Sequence, residues 1–290
     1  MKAKIRDTEI FFDVDGAQFV PEGNSLRERP VAFVLHGGPG IDHSTYKPSL
    51  TPLTEHMQLI YVDHRGQGRS ARGDKETYTL ENNVEDLEAL RQYLGLDKVV
   101  VIGASYGGMV AMSYACTYPN NVSHLIALVT APSYQFMDRA REILAQRGSP
   151  EQIAIAEKLW QGAFKDEQEL TDFFTLLAPI YSVKYDASKA QAKRYRGILS
   201  VDAINKGFGD CLRGYDIREK LQFVKAQTLV IGARQDWICA AEFSEEIARL
   251  IPNAELFIYG RSGHSILQDA NERVLADISR FVLGQMRKMA

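Results

Sequence analysis

Gly103-Ala104-Ser105-Tyr106-Gly107 is a Gly-x-Ser-x-Gly segment set between a β-branched run at 99–102 and a small-residue stretch with helical character at 106–118. A serine hydroxyl can attack an acyl carbonyl, but it is a poor nucleophile until a base takes its proton. A tight strand-to-helix turn, the nucleophile elbow, serves such a serine well. It leaves the side chain standing at the end of a sheet, beside a helix N-terminus whose free N–H groups favour negative charge. Glycines on both sides let the turn close without side-chain clashes.

The serine needs a base, and the base needs an acid to hold its tautomer and stabilise the imidazolium. Six histidines are available: His36, His43, His56, His64, His124 and His264. His264 is the candidate base. It ends the loop Gly260-Arg261-Ser262-Gly263-His264, after an apolar run at 256–258 and before the last helical pattern. Asp236 is the candidate acid. It follows the run at 228–231 through Gly232-Ala233-Arg234-Gln235, which puts it at the C-terminal end of a parallel strand, where such sheets bind ligands. Asp269 and Asp277 fall on or near the last helix and Glu255 begins a strand, so all three are less suitably placed. The order Ser105, Asp236, His264 is the one expected of this elbow.

Acyl transfer also needs N–H donors aimed at the developing oxyanion. The N–H of Tyr106, next to the nucleophile, is one candidate. The other is the N–H of Gly38 in His36-Gly37-Gly38-Pro39-Gly40, which directly follows an apolar run at 31–35. His36 is expected to hydrogen-bond locally and shape this loop rather than act as a base.

The elements that must carry these residues alternate. Apolar runs at 31–35, 59–62, 99–102, 125–129, 228–231 and 256–258 read as buried strands. Segment 5–14 reads as an opening strand or hairpin turning at Asp15-Gly16. Helical spacing appears at 80–94, 106–118, 242–250 and 270–283. Such alternation predicts an α/β fold, a mostly parallel central sheet with helices on both faces. The alternation fails between about 133 and 223, where Ala, Gln, Lys, Arg and Glu dominate with helical spacing. Ser149-Pro150-Glu151-Gln152 supplies a helix start there, and Asp166 with Glu169 a weaker one. The expected organisation is a core of residues 1–132 and 224–290 with a helical cap, 133–223, inserted in it. The cap aromatics Phe164, Phe173, Phe174, Tyr181, Tyr185, Tyr195 and Phe208 should mostly pack cap helices together, with some lining a pocket over the serine.

Composition narrows the function classes. A formal net charge of −3 without a basic block argues against nucleic acid as a partner. Residues 1–16 are charged and alternating, unlike a secretory signal, and no apolar run reaches membrane length. Cys116, Cys211 and Cys239 match neither a disulfide framework nor zinc spacing. A cytoplasmic enzyme acting on a small molecule without cofactor or metal is therefore expected.

Together these motifs resemble the α/β-hydrolase superfamily, and within it the proline iminopeptidase-like branch. The resemblance rests on His36-Gly37-Gly38-Pro39-Gly40, Asp63-His64-Arg65-Gly66-Gln67-Gly68-Arg69-Ser70, residues 103–108, Asp236 and His264. It implies that Asp63 and Arg65 hold a loop near the site. Aminopeptidases of this branch bind the substrate amine with glutamates, one directly after the triad acid and one from late in the cap. Here Trp237 follows Asp236, and 198–215 offers Asp202 and Asp210 but no Glu. A buried ammonium without an anion is costly, so Trp237 implies contact with a neutral or apolar acyl group. The expected activity is a serine hydrolase cleaving a small neutral ester, lactone or amide through an acyl-enzyme. The alternatives are a prolyl aminopeptidase releasing N-terminal proline and a non-catalytic ligand-binding protein on the same fold. A haloalkane or epoxide type of enzyme would need a carboxylate where Ser105 stands.

Overall fold

Continuous apolar runs are what a sheet covered on both faces requires, and they become the central strands of this protein. The computed structural model describes residues 1–188 and 197–284. Among these residues, ten strands follow in chain order: β1 (Lys2–Ile5), β2 (Thr8–Asp15), β3 (Phe19–Glu22), β4 (Ser25–Glu28), β5 (Val31–Leu35), β6 (Gln58–Val62), β7 (Val99–Ala104), β8 (Val122–Leu128), β9 (Gln227–Ala233) and β10 (Glu255–Tyr259). Eight of them form one sheet in the order β1-β2-β6-β5-β7-β8-β9-β10. β1 with β2 and β2 with β6 are antiparallel; the other neighbours are parallel. Every residue of β5 and β7 is buried.

The two-residue period of a strand sorts side chains between two cores. On β7, Val99 and Val101 enter one core with Phe33, Val84, Leu87 and Leu90. Val100 and Ile102 enter the other with Val34, Val274 and Ile278. The helices that supply these faces are α2 (Leu80–Tyr93) and α11 (Asn271–Val282). Between them in chain order come α3 (Tyr106–Thr117), α4 (Gln135–Arg147), α5 (Pro150–Gln161), α6 (Glu167–Tyr181), α7 (Val201–Gly209), α8 (Arg218–Leu221), α9 (Ala241–Leu250) and α10 (Ile266–Asp269); the short α1 (Lys47–Leu50) precedes them.

Among the described residues, the elements between β8 and β9 are helical. Ser149 and Gln152 form a reciprocal capping box on α5, and the Asp166 carboxylate caps α6. The two ends of this helical stretch are tied side by side. Tyr134 N–H donates to Tyr215 C=O at 2.6 Å, and Ile217 N–H to Pro132 C=O at 3.0 Å. Tyr195 lies outside the described residues.

The N-terminus departs from expectation. The first hairpin turns at Arg6-Asp7, not at Asp15-Gly16, and a second hairpin, β3–β4, follows. That second hairpin is mostly exposed, with Phe19 and Leu26 facing outward, so it carries no buried alternation that a sequence pattern reveals. Among the described residues, no helix is long and apolar enough to cross a membrane.

Candidate active site

Ser105 stands between the last residue of β7 and the first of α3, with φ 54° and ψ −122°. A non-glycine residue in this region is strained and is held only by its surroundings. Its N–H donates to Leu128 C=O at 3.0 Å, and its C=O accepts from the Thr130 hydroxyl at 2.7 Å. The flanking glycines answer to close approach. A Cβ on Gly103 would sit 2.1 Å from Gly107 O, and one on Gly107 2.3 Å from Leu35 O. The helix therefore packs directly onto the ends of β5 and β7, which is what aims Ser105 at the crevice.

Asp236 and His264 arrive from β9 and β10. Arg234 N–H bonds Tyr259 C=O at 2.9 Å and Gln235 N–H bonds Ser262 C=O at 3.0 Å, so the two loops are laced together. His264 Nδ1 lies 2.8 Å from Asp236 Oδ2, and the Asp236 side chain is fully buried. The other carboxylate oxygen accepts the N–H groups of Ile238 at 2.8 Å and Cys239 at 2.9 Å. With Asp236 as acceptor, Nδ1 carries the proton and Nε2 is left as the basic nitrogen. The less suitably placed acids are engaged elsewhere: Asp277 accepts the Tyr259 hydroxyl at 2.7 Å, and Asp269 accepts Gly263 N–H at 2.7 Å.

The glycine loop after β5 closes over the serine. His36 Nε2 accepts the His64 N–H at 3.2 Å, so the Nδ1 proton goes to Gly37 C=O at 2.8 Å. Burial holds His36 below the ordinary imidazole value, which keeps it neutral. Gly38 has φ 104°, a conformation that favours glycine, and Gly40 N–H donates to Gln67 Oε1 at 2.7 Å. Tyr106 opens α3, so its N–H belongs to the first turn, which has no acceptor within the helix. Its buried ring is anchored by an Asn83 amide donating to its hydroxyl at 2.7 Å.

Asp63 and Arg65 hold the neighbouring loop. Asp63 Oδ1 accepts both the N–H and Nδ1 of His43, at 2.9 and 2.7 Å, and Oδ2 accepts Arg69 N–H at 2.8 Å. Burial alone would raise its pKa, but the His43 bond, the imidazoles nearby and the Arg69 amide outweigh burial and bring it down to about 2. Arg65 forms a two-pronged bond with Asp86.

A cavity of about 300 Å³ opens over Ser105. Gly37, Gly38, Ser105 and His264 lie in its wall with Val129, Leu159, Phe173, Phe174, Tyr181, Tyr185, Ile204, Phe208, Ile238 and Ile266. Thr45, Tyr46, Ser49, Ser265 and Gln268 add neutral polar groups. Among the described residues, the lining includes no Asp, Glu, Lys or Arg side chain. Phe164 packs against Phe173 instead, and Asp210 pairs with Lys206 at 2.6 Å on an exposed face.

Trp237 takes a different place from the one expected. It is buried behind this cavity, edge-to-face with Tyr181 at 5.4 Å and Trp160 at 6.4 Å, and its neighbour Ile238 faces the cavity. The residue after the acid turns away because the Ile238 and Cys239 amides must both point back at Asp236. Two further residues had no signal in the sequence. Cys239 brings its thiol against the Ser105 hydroxyl, and burial keeps that thiol protonated. Tyr46 accepts Gly37 N–H at 3.1 Å.

The profile of the alpha/beta hydrolase fold matches residues 30–270. The chain is 32% identical to "Proline iminopeptidase PfmaB" of Pestalotiopsis fici, over 92% of this chain and 97% of that protein. It is 25% identical to a proline iminopeptidase of Clostridium botulinum, over 90% of this chain and 92% of that one. A solved alpha/beta fold family hydrolase from Bacillus anthracis superposes with a TM-score of 0.78 at 23% identity, covering 99% of this chain and 98% of that structure.

Proposed function

The chain belongs to the α/β-hydrolase fold family, in its proline iminopeptidase-like branch, and from that premise we propose that it is a serine hydrolase cleaving small neutral esters, lactones or amides. The observation that carries this reading is the cavity itself. It joins Ser105 and His264 in one wall, with His264 held on Asp236, and surrounds them with aromatic and aliphatic side chains free of formal charge.

In the proposed reaction the Ser105 Oγ attacks the carbonyl carbon while His264 Nε2 takes the hydroxyl proton. Asp236 keeps the imidazole oriented and stabilises its charged form. The N–H groups of Tyr106 and Gly38 receive the oxyanion, each donor of this kind contributing roughly a hundred- to a thousandfold in rate. Collapse expels the leaving group, which takes the proton from His264. Water, deprotonated by the same histidine, then releases the acyl group. Fluorophosphonate labelling that Ser105→Ala abolishes, together with hydrolysis of short neutral esters, tests this reading.

We assign residues 1–132 and 224–290 to the catalytic core and 133–223 to a cap that walls the cavity. Its α5, α6 and α7 supply Leu159, Phe173, Phe174, Tyr181, Ile204 and Phe208. The three unpaired cysteines support a cytoplasmic setting.

Prolyl aminopeptidase activity is the second reading, favoured by the names of the relatives at 32% and 25% identity. It needs an anion for the substrate amine. Turnover of proline p-nitroanilide against p-nitrophenyl butyrate separates the two.

A further inference from the structure

The loop that follows β5 places a phenol beside the nucleophile. Tyr46 lies between a single 3-10 turn and α1, and it lines the same cavity as Gly37, Gly38 and Ser105. Its hydroxyl and the Cβ of Ser105 both lie against Gly37. A Cβ built on Gly37 would stand 2.9 Å from the Tyr46 hydroxyl and 3.2 Å from Ser105 Cβ.

A phenol oxygen has one proton to donate and two lone pairs to accept with. Gly37 N–H uses one lone pair, at 3.1 Å. Among the described residues, no acceptor is seen for the proton. Burial pushes the phenol up to about 12, so the proton stays on oxygen at neutral pH. The donated Gly37 N–H also polarises the O–H bond, which makes it a stronger donor in turn. This bond has a second consequence: the Gly37 N–H is already committed to Tyr46, so its donor strength reaches the cavity through the hydroxyl.

We propose that the Tyr46 hydroxyl is a third hydrogen-bond donor to the substrate carbonyl as its oxygen becomes an oxyanion, alongside the N–H groups of Gly38 and Tyr106. This rests on the serine-hydrolase reading of Ser105. No covalent bond is made or broken at Tyr46: the proton remains on the phenol and only its hydrogen bond shortens as charge develops. Such a donor acts mainly in the transition state, so it raises kcat with little change in KM.

The test is Tyr46→Phe in the full chain, read by kcat and KM on p-nitrophenyl butyrate, by inhibition with an alkyl trifluoromethyl ketone, and by Tm. The ketone forms a stable oxyanion on a serine and so reports the donors directly. The expected result is a fall in kcat of about 100-fold or more, with KM little changed and ketone affinity lost in proportion. Unchanged kcat and ketone affinity, or a rise in KM alone, would overturn the proposal. Where Tyr46→Phe does not fold, 3-fluorotyrosine at position 46 keeps the ring and the hydroxyl while strengthening the donor. It should keep or raise kcat and tighten ketone binding; a loss of both would count against a donor role. The premise is checked separately on the wild type. If it takes up no fluorophosphonate at Ser105 and hydrolyses no ester, the serine-hydrolase reading fails and this inference with it. A wild type that labels normally, beside an indifferent Tyr46→Phe, removes the inference alone.

Discussion

The Asp269 carboxylate accepts the N–H of Gly263 at 2.7 Å, one residue before His264. The same carboxylate accepts the Ser182 hydroxyl and the N–H groups of Val183, at 3.2 Å, and Lys184, at 3.1 Å. One buried anion thus fastens the histidine loop to the chain leaving α6. A second tie runs alongside, from Ser265 N–H to Tyr181 C=O at 2.7 Å. The position of His264 is therefore coupled to the helices that wall the cavity.

Asp269→Ala should reduce both stability and turnover. Removing one buried acceptor leaves several donors unsatisfied, at a cost of roughly 1–3 kcal/mol for such a group. That corresponds to a Tm lower by several degrees. A loosened His264 should also lower kcat by at least about tenfold, because small misplacements of a catalytic group are expensive. Ser105 would remain available to a phosphonate, with slower labelling. Full activity in a folded Asp269→Ala protein would show that the Tyr181 tie alone positions the histidine.

Ser105→Ala should abolish turnover and phosphonate labelling with an intact fold, since it deletes only a hydroxyl. His264→Ala should abolish turnover as well. His124→Ala should keep most activity, because that ring sits at the far end of β8 against Phe281. His43→Ala differs from what an uninvolved histidine would do. It removes the imidazole donor from buried Asp63 and leaves its Oδ1 with only the backbone N–H of residue 43, so the expected effect is lost stability. Thermal melts beside ester assays of the four variants decide the matter; a His124→Ala protein as inactive as His264→Ala would mean the base is wrongly assigned.

Stability should fall in two stages as pH is lowered. Burial holds His36 below, and His64 well below, the ordinary imidazole value. Between those folded values and about 6.5 the unfolded chain binds more protons, so stability is present above 6.5 and is lost as pH falls. Each group contributes at most about 1.4 kcal/mol per pH unit. Asp63, at about 2 in the fold, adds a second stage. Its contribution is complete above the unfolded carboxylate value near 4 and is lost on the way down to about 2. Urea midpoints from pH 8 to pH 2.5 measure both. Asp63→Asn should reduce the lower stage, which Asp7 and Glu88, also brought down to about 2, share with it. It should deepen the upper one, because the Asp63 charge favours the protonated forms of His36 and His64. A midpoint that stays constant from pH 7 to pH 5 would contradict the neutral buried imidazoles.

The parts of this design that were legible in the sequence share a cause. β5 and β7 are wholly buried, so their residues had to be apolar without interruption. The capping box of Ser149 and Gln152 is local, and local chemistry reads directly. What stayed hidden depends on distant segments meeting. Tyr46 reaches Gly37 through a loop with no periodicity, and Asp269 serves donors some 85 residues away at Ser182 and Lys184. Trp237 was readable as an apolar residue beside the acid, but not as one turned away from the cavity. Its direction is set by the two amides that follow it on Asp236.

Substrate charge is the most discriminating property of this cavity. Its described lining offers Ser, Thr, Tyr, Gln and His as polar partners and no carboxylate. Asp202 is exposed, and Asp210 is paired with Lys206. A substrate with a free ammonium would leave water without gaining an anion, and charge-assisted hydrogen bonds contribute roughly 1.5–3 kcal/mol each. Forgoing one of them should reduce kcat/KM by about ten- to a few hundredfold. p-Nitrophenyl butyrate should therefore be favoured over proline p-nitroanilide once each rate is divided by its uncatalysed rate. The same logic makes a converse variant informative. Phe174→Glu puts a carboxylate into the wall and should narrow the gap by improving the proline substrate while impairing the butyrate. If the wild-type protein already prefers the proline substrate, an anion reaches the amine from elsewhere, and the aminopeptidase reading replaces that of a neutral-substrate hydrolase.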